Sequence, residues 1–181
     1  MMVSRAERGP SLASRARKVT MLVLDVDGVL TDGRLLYGAA GEEIKRFHVR
    51  DGYALVAARR AGLTVAVISG RVSAAVTRRM AELGVDEVHQ GVDDKRACLV
   101  ALVARLGASR AQVAAMGDDV PDVPLLREAG LALAPSDAAR EVRRVVHWTS
   151  RYPGGRGAVR DAVEMLLGAR HAWPPPISAS R

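Results

Sequence analysis

Leu22-Val23-Leu24-Asp25-Val26-Asp27-Gly28-Val29-Leu30-Thr31 sets the reading of this chain. An apolar run ends in two carboxylates one residue apart, followed by a glycine and a hydroxyl. A buried strand avoids unpaired carboxylates, because desolvating a charge costs several kcal/mol or more. Two of them at the end of a strand call for a cation or a reaction.

Working outward, short apolar runs alternate with amphipathic ones. Met21–Leu24, Val65–Ile68, Glu87–His89, Val113–Met116, Leu131–Ala134 and Val145–His147 read as strands. Tyr53–Ala61, Ser73–Leu83, Lys95–Leu106, Val123–Ala129, Ala138–Arg143 and Ala158–Leu167 read as helices between them. Strand, helix, strand at this spacing predicts right-handed βαβ units and a mostly parallel sheet, an α/β three-layer sandwich of Rossmann type. The exception is Arg34–Val49, where Leu35-Leu36-Tyr37, Gly38–Gly41 and Glu43–His48 predict a β-hairpin inserted after the first strand.

The chain has 181 residues, 49% of them apolar and 26% charged, which is ordinary for a single soluble domain. Aromatics are only 3%, so the core must be built from Val, Leu, Ala and Ile. No apolar run reaches the ~20 residues that span a bilayer. The single cysteine, Cys98, excludes an intrachain disulfide and suits a reducing, cytoplasmic compartment. Of the formal +7 charge, +4 comes from Arg5, Arg8, Arg15, Arg17 and Lys18 against Glu7. Residues 1–17 therefore read as a basic, disordered tail without the apolar stretch of a secretory signal. Residues 170–181, which contain Trp173-Pro174-Pro175-Pro176, read as a loose C-terminal tail, leaving 18–169 as one domain. The basic tail raises the question of nucleic acid, but so few aromatics argue against base-stacking platforms.

In open α/β sheets ligands bind beyond the carboxyl ends of the strands. That edge gathers Asp25 and Asp27, Ser69-Gly70-Arg71, Gly117-Asp118-Asp119 and, at the start of a helix, Lys95. Aspartate oxygens without a His or Cys cluster make a hard-ligand site suited to Mg²⁺. His89, His147 and His171 show no ligand spacing, so no site is assigned to them. A carboxylate can attack phosphorus and form an aspartyl-phosphate. Phosphoryl transfer asks mainly for positioning and charge neutralisation, which Mg²⁺, Lys95 and the Ser69 hydroxyl are equipped to supply.

Asp25-Val26-Asp27-Gly28-Val29-Leu30-Thr31, Ser69, Lys95 and Gly117-Asp118-Asp119-Val120-Pro121-Asp122 resemble, in order, the four motifs of the haloacid dehalogenase-like phosphatases. Phe47-His48-Val49-Arg50-Asp51-Gly52-Tyr53, Ser69-Gly70-Arg71 and Gly154-Gly155-Arg156-Gly157-Ala158-Val159-Arg160 further resemble the capless subgroup acting on the 8-phosphate of 3-deoxy-D-manno-octulosonate (KDO). The resemblance runs from about Val19 to Leu167 and implies a hairpin in place of a large cap. It implies Asp25 as nucleophile and metal ligand. Asp27 is implied as general acid–base, with its carbonyl on the metal, and Asp118 as the remaining protein ligand of Mg²⁺. Asp119 or Asp122 is implied to orient the ligands or Lys95, while Ser69 and Lys95 grip the phosphate. His48, Val49, Arg50, Asp51, Gly52, Gly70, Arg71, Arg79 and Arg156 are implied as substrate contacts, the arginines for a sugar-acid carboxylate. It also implies a homotetramer in which a neighbouring subunit completes an otherwise open site, with the Arg156 loop near the interface. Two positions depart from the family: His48 stands where an Asn is expected, and Val56 where some relatives carry an arginine. A phosphatase for 9-phosphates of nine-carbon keto-sugar acids, a nucleic-acid end phosphatase and an inactive oligomerising module stay open as alternatives.

Overall fold

The computed structural model describes residues 10–175. Six strands form one sheet: β1 (Met21–Leu24), β4 (Thr64–Ile68), β5 (Glu87–His89), β6 (Val113–Met116), β7 (Leu131–Ala134) and β8 (Trp148–Thr149). The order across the sheet is β5-β4-β1-β6-β7-β8, and every neighbouring pair is parallel. A separate antiparallel hairpin, β2 (Leu36–Tyr37) with β3 (Glu43–Ile44), follows β1, as the alternation around Gly38–Gly41 predicts.

Side-chain alternation builds the three layers. Leu22 and Leu24 of β1, Val65 and Val67 of β4 and Leu131 and Leu133 of β7 face one core. That core is closed by α2 (Val49–Arg60), α3 (Ala74–Glu82) and α7 (Ala158–Gly168). Met21 and Val23, Ala66 and Ile68, Ala132 and Ala134 face the other, closed by α4 (Lys95–Arg105), α5 (Val123–Glu128) and α6 (Arg140–Arg143). Small alanines in the strands let helices sit close to the sheet. Each buried Leu or Val contributes about 1.5–3 kcal/mol of transfer free energy.

Three differences from the sequence reading have physical causes. Residues 12–17 are not a disordered tail: α1 (Leu12–Lys18) is a helix capped by Ser11, whose hydroxyl accepts from the Ser14 N–H at 3.3 Å. Ala16 and the following Val19 are buried in the first core, and the Arg15 guanidinium donates to the Gly130 carbonyl at 2.6 Å. Residues 1–9, the rest of that expectation, lie outside the described residues. At the other end, Ala172 and Trp173 pack against the same core, so the chain beyond α7 is not loose at once; residues 176–181 lie outside the described residues. The last strand falls at Trp148–Thr149 rather than Val145–His147, because Ala132 bonds His147 twice, by its carbonyl to the backbone N–H and by its own N–H to the ring Nδ1, before the regular ladder begins.

Candidate active site

The chain leaves β1 to one side of the sheet and β6 to the other, so a crevice opens between their carboxyl ends. Asp25 continues β1, and its N–H donates to the Met116 carbonyl at the end of β6 at 3.0 Å. The turn that follows is tight: the Val26 carbonyl accepts from the N–H groups of Val29, Leu30 and Thr31. Gly28 sits there at φ +91°, where a Cβ would lie 2.0 Å from Asp118 Oδ2. Gly154 closes the same turn from behind, since a Cβ on it would lie 1.7 Å from the Gly28 carbonyl oxygen. Glycines at 28 and 154 are therefore requirements of packing against Asp118 and the first loop.

Lys95, at the start of α4, reaches across to donate to Asp25 Oδ1 at 2.8 Å and Asp122 Oδ1 at 2.6 Å. Asp122 Oδ2 in turn accepts from the N–H groups of Asp118 and Asp119 at 3.0 and 3.3 Å, which fixes the loop carrying Asp118. Asp119 points away and caps the short helical turn after it, accepting from the Val120 N–H at 2.8 Å. Asp25 is only 8% exposed. Burial, reinforced by Asp122 and opposed by Lys95, raises its pKa to about 6. Asp118 is raised further, to about 8, by burial and then by Asp122 and Asp25. Lys95 loses hydration, but the two aspartates outweigh that loss and hold its ammonium above the ordinary lysine value.

Carboxylate oxygens of Asp25, Asp118 and Asp122 lie within 4.8 Å of one another. No hydrogen bond reaches the Asp118 carboxylate among the described residues. A half-buried, unpartnered carboxylate beside two others is a place for a hard divalent cation, and the all-oxygen donor set fits Mg²⁺. Ser69 follows β4 on the same edge, buried, with its hydroxyl accepting from the Arg71 N–H at 3.4 Å. The neighbouring Gly70 is exposed.

Two residues escaped the sequence reading. Lys45, just past β3, contacts Asp27 Oδ1 and also pairs with Glu43. The Glu43 carboxylate pairs with Arg71 at 3.2 Å, and Arg71 lies 3.8 Å from Asp27 Oδ2. Burial works against the Lys45 ammonium, but bonds to Asp27 and Glu43 hold it above the usual lysine range. The hairpin is thereby tied to the crevice by a four-membered charge network. The sequence signal was the alternation Glu43-Ile44-Lys45, which puts both charges on one face of a strand.

The residues implied as substrate contacts are not all gathered here. Val49, Gly52 and Arg79 line a cavity of about 890 Å³ beside α2 and α3. Arg79 lies flat across Gly52, where a Cβ would stand 2.2 Å from its Nη2. His48, Arg50 and Arg156 line a smaller cavity of about 110 Å³ with Arg151 and Arg160. Neither cavity includes Asp25, Asp27 or Asp118. Asp51 is 2% exposed, and its two oxygens accept from the N–H groups of Gly157 and Arg160, so this carboxylate is spent on joining α2 to α7.

Residues 39–130 match the model of the haloacid dehalogenase-like hydrolases. The chain is 39% identical over 157 residues to the 3-deoxy-D-manno-octulosonate 8-phosphate phosphatase of Escherichia coli K12, covering 87% of this chain and 84% of that protein. The Moraxella catarrhalis enzyme of the same description, crystallised with a magnesium ion, a phosphate ion and KDO, superposes with a TM-score of 0.87 at 38% identity, over 89% of this chain and 92% of that one. The cobalt-bound Haemophilus influenzae phosphatase gives 0.85 at 37% identity, over 88% and 95%. With this likeness over nearly the whole fold, the chain belongs to the 3-deoxy-D-manno-octulosonate 8-phosphate phosphatase family of haloacid dehalogenase-like hydrolases.

Proposed function

We propose that the protein is a cytoplasmic, Mg²⁺-dependent phosphatase that hydrolyses KDO 8-phosphate to KDO and inorganic phosphate. The observation that carries this reading is the Asp25 carboxylate, held by Lys95 at 2.8 Å and grouped with the Asp118 and Asp122 oxygens within 4.8 Å. In this reading Asp25 Oδ attacks phosphorus and the phosphate–sugar bond breaks, giving an aspartyl-phosphate. Asp27 gives a proton to the departing 8-oxygen of the sugar. It then takes a proton from the water that attacks the aspartyl-phosphate, which releases phosphate and restores Asp25. Lys95 and the Ser69 hydroxyl hold the phosphoryl oxygens throughout. Asp25, Asp118 and the Asp27 carbonyl would hold Mg²⁺, which supplies charge neutralisation to the transferring group. Asp122 orients both Lys95 and the Asp118 loop, while Asp119 caps the turn beside it. Lys45, Glu43 and Arg71 fix Asp27 in place.

We further propose that the active form is a homotetramer and that a neighbouring subunit closes the crevice over a sugar acid. The split of Val49, Gly52, Arg79, His48, Arg50 and Arg156 between two cavities away from the aspartates supports this. So does the row of exposed apolar side chains on the hairpin. No helix among the described residues is long and apolar enough to cross a membrane.

Steady-state rates on KDO 8-phosphate and on a nine-carbon keto-sugar-acid 9-phosphate, with and without Mg²⁺, test the substrate. The eight-carbon ester is expected to have the higher kcat/KM, and chelation is expected to remove turnover. Asp25→Asn is expected to lower phosphate release by at least a thousandfold; unchanged release would exclude the covalent route.

A further inference from the structure

At the opposite edge of the sheet from the aspartates lies a cavity of about 540 Å³ lined by positive charge. Arg15 of α1, Arg110 before β6, Arg127 in the last turn of α5 and His147 before β8 surround it. Its floor is apolar, with Ala111, Ala129 and Val145. No Asp or Glu among the described residues lines it. Glu128, the acid next to Arg127 in sequence, is engaged elsewhere, with Arg96 at 2.9 Å. Among the described residues none of Arg15, Arg110 and Arg127 makes an ion pair.

Arg15, Arg110 and His147 are also held in place. Arg15 Nη1 donates to the Gly130 carbonyl at 2.6 Å. Arg110 donates to the Arg127 carbonyl at the end of α5, offsetting the partial negative charge of that helix end. Both guanidinium groups keep further N–H donors, and that of Arg127 donates to no described residue. The His147 ring accepts the Ala132 N–H on Nδ1 at 2.9 Å, which leaves Nε2 as its N–H-bearing nitrogen. Grouping three arginines that have no ion-pair partner among the described residues costs repulsion. None of the proposed chemistry at Asp25 uses these residues.

We propose that this cavity is a second ligand site, taking a phosphorylated small molecule whose diphosphate meets Arg15, Arg110 and Arg127 and whose organic part lies on the Ala111–Val145 floor. Phosphate suits the site better than a lone carboxylate, because three guanidinium groups ask for at least two negative charges and arginine binds phosphate oxygens bidentately. β6 runs from this cavity at Val113 to the catalytic loop at Gly117, a span of about 13 Å, so occupants of the two sites share a strand without touching.

Calorimetric titration of the full-length protein with inorganic pyrophosphate, and separately with ADP, in EDTA at low salt tests this. One site per chain is expected, weakened at least tenfold in Arg110→Gln/Arg127→Gln and unchanged in Arg71→Gln, whose side chain belongs to the catalytic crevice. Tighter binding of ADP than of pyrophosphate would assign the floor to an organic group; tighter pyrophosphate would assign the site to inorganic phosphates and remove the floor from the proposal. The double variant should keep its phosphatase rate within twofold, showing that it folds. Should it fail to fold, Arg127→Gln alone removes no hydrogen bond or ion pair among the described residues and should still weaken binding at least threefold. No saturable binding, binding indifferent to both arginine variants, or binding lost in Arg71→Gln would each overturn the proposal.

Discussion

Gly28 shows how a single missing Cβ lets two carboxylates share a site. A methyl there would meet Asp118 Oδ2 at 2.0 Å and would also be strained by φ +91°, whereas at Gly33, φ +73°, the nearest atoms stand 3.6 Å away. The two positions separate strain from function. Gly33→Ala is expected to lose about 1 kcal/mol of stability and keep its rate. Gly28→Ala is expected to lose similar stability and at least a hundredfold in kcat, because Asp118 must move; thermal melts with steady-state rates check both. Asp25 and Asp118 carry a second prediction. Burial raises their pKa values to about 6 and about 8, so the folded chain holds protons that the unfolded chain would release. A raised folded-state pKa gives stability that is present in acid and lost as pH rises through it. In EDTA the melting temperature should therefore fall between pH 5.5 and 8.5. Mg²⁺, which favours the ionised carboxylates, should raise it more at pH 8.5 than at pH 5.5. A Mg²⁺ effect larger in acid would contradict the assignment of Asp118 as a ligand. The gathering of Asp25, Lys95 and Asp118 was legible in the sequence because each follows or faces the carboxyl end of a strand. Glu43 and Lys45 were not, because their place depends on how a two-residue strand folds back over Asp27, a long-range packing that no local pattern encodes.

Elements were legible where apolar periodicity is strong. The paired cores of β1, β4 and β7 come directly from short, continuous apolar runs whose successive side chains face opposite sides of the sheet. α1 was not, since its core-facing side is only Leu12 and Ala16 among arginines, and its remaining cue was the Ser11 cap. α2 also begins earlier than its apolar pattern, at Val49, because Asp51 anchors its first turn to the first turn of α7. One carboxylate thus serves two helix N-termini, where negative charge is favoured. Burial nonetheless raises the Asp51 pKa, against the pull of the Arg160 and Gly157 N–H groups. Asp51→Ala leaves both N–H groups buried without an acceptor and is expected to cost about 2 kcal/mol or more. At this chain length that is a drop of roughly 4–8 °C in melting temperature. Asp51→Asn keeps one acceptor and should lose less. If Asp51 instead contacts substrate, Asp51→Asn would raise KM strongly at an unchanged melting temperature, so a melt beside a KM measurement separates the two roles.

At the scale of the molecule, the sheet builds one edge for phosphorus chemistry and leaves the hairpin standing beyond it. Leu36 and Ile44 are a directly opposed cross-strand pair, 50% and 47% exposed, and the neighbouring Tyr37 is 63% exposed. Isolated exposed apolar residues are ordinary, but a contiguous set on a two-stranded hairpin is not, because such a hairpin is marginal in water without something to pack against. The same hairpin carries Lys45 and Glu43 into contact with Asp27 and Arg71, so whatever steadies its outer face also steadies the proposed acid–base group. Assembly and turnover should therefore be coupled. Light scattering of the wild-type protein is expected to give the mass of four chains. Leu36→Lys/Ile44→Lys, which sets two ammonium groups side by side on that face, is expected to give smaller species. Its melting behaviour should stay cooperative, since neither side chain belongs to the two cores, while kcat/KM on KDO 8-phosphate should fall at least tenfold. A wild-type monomer with full activity would remove the tetramer from the mechanism. A dissociated variant with unchanged kcat/KM would leave the assembly but show that one chain alone closes its own site.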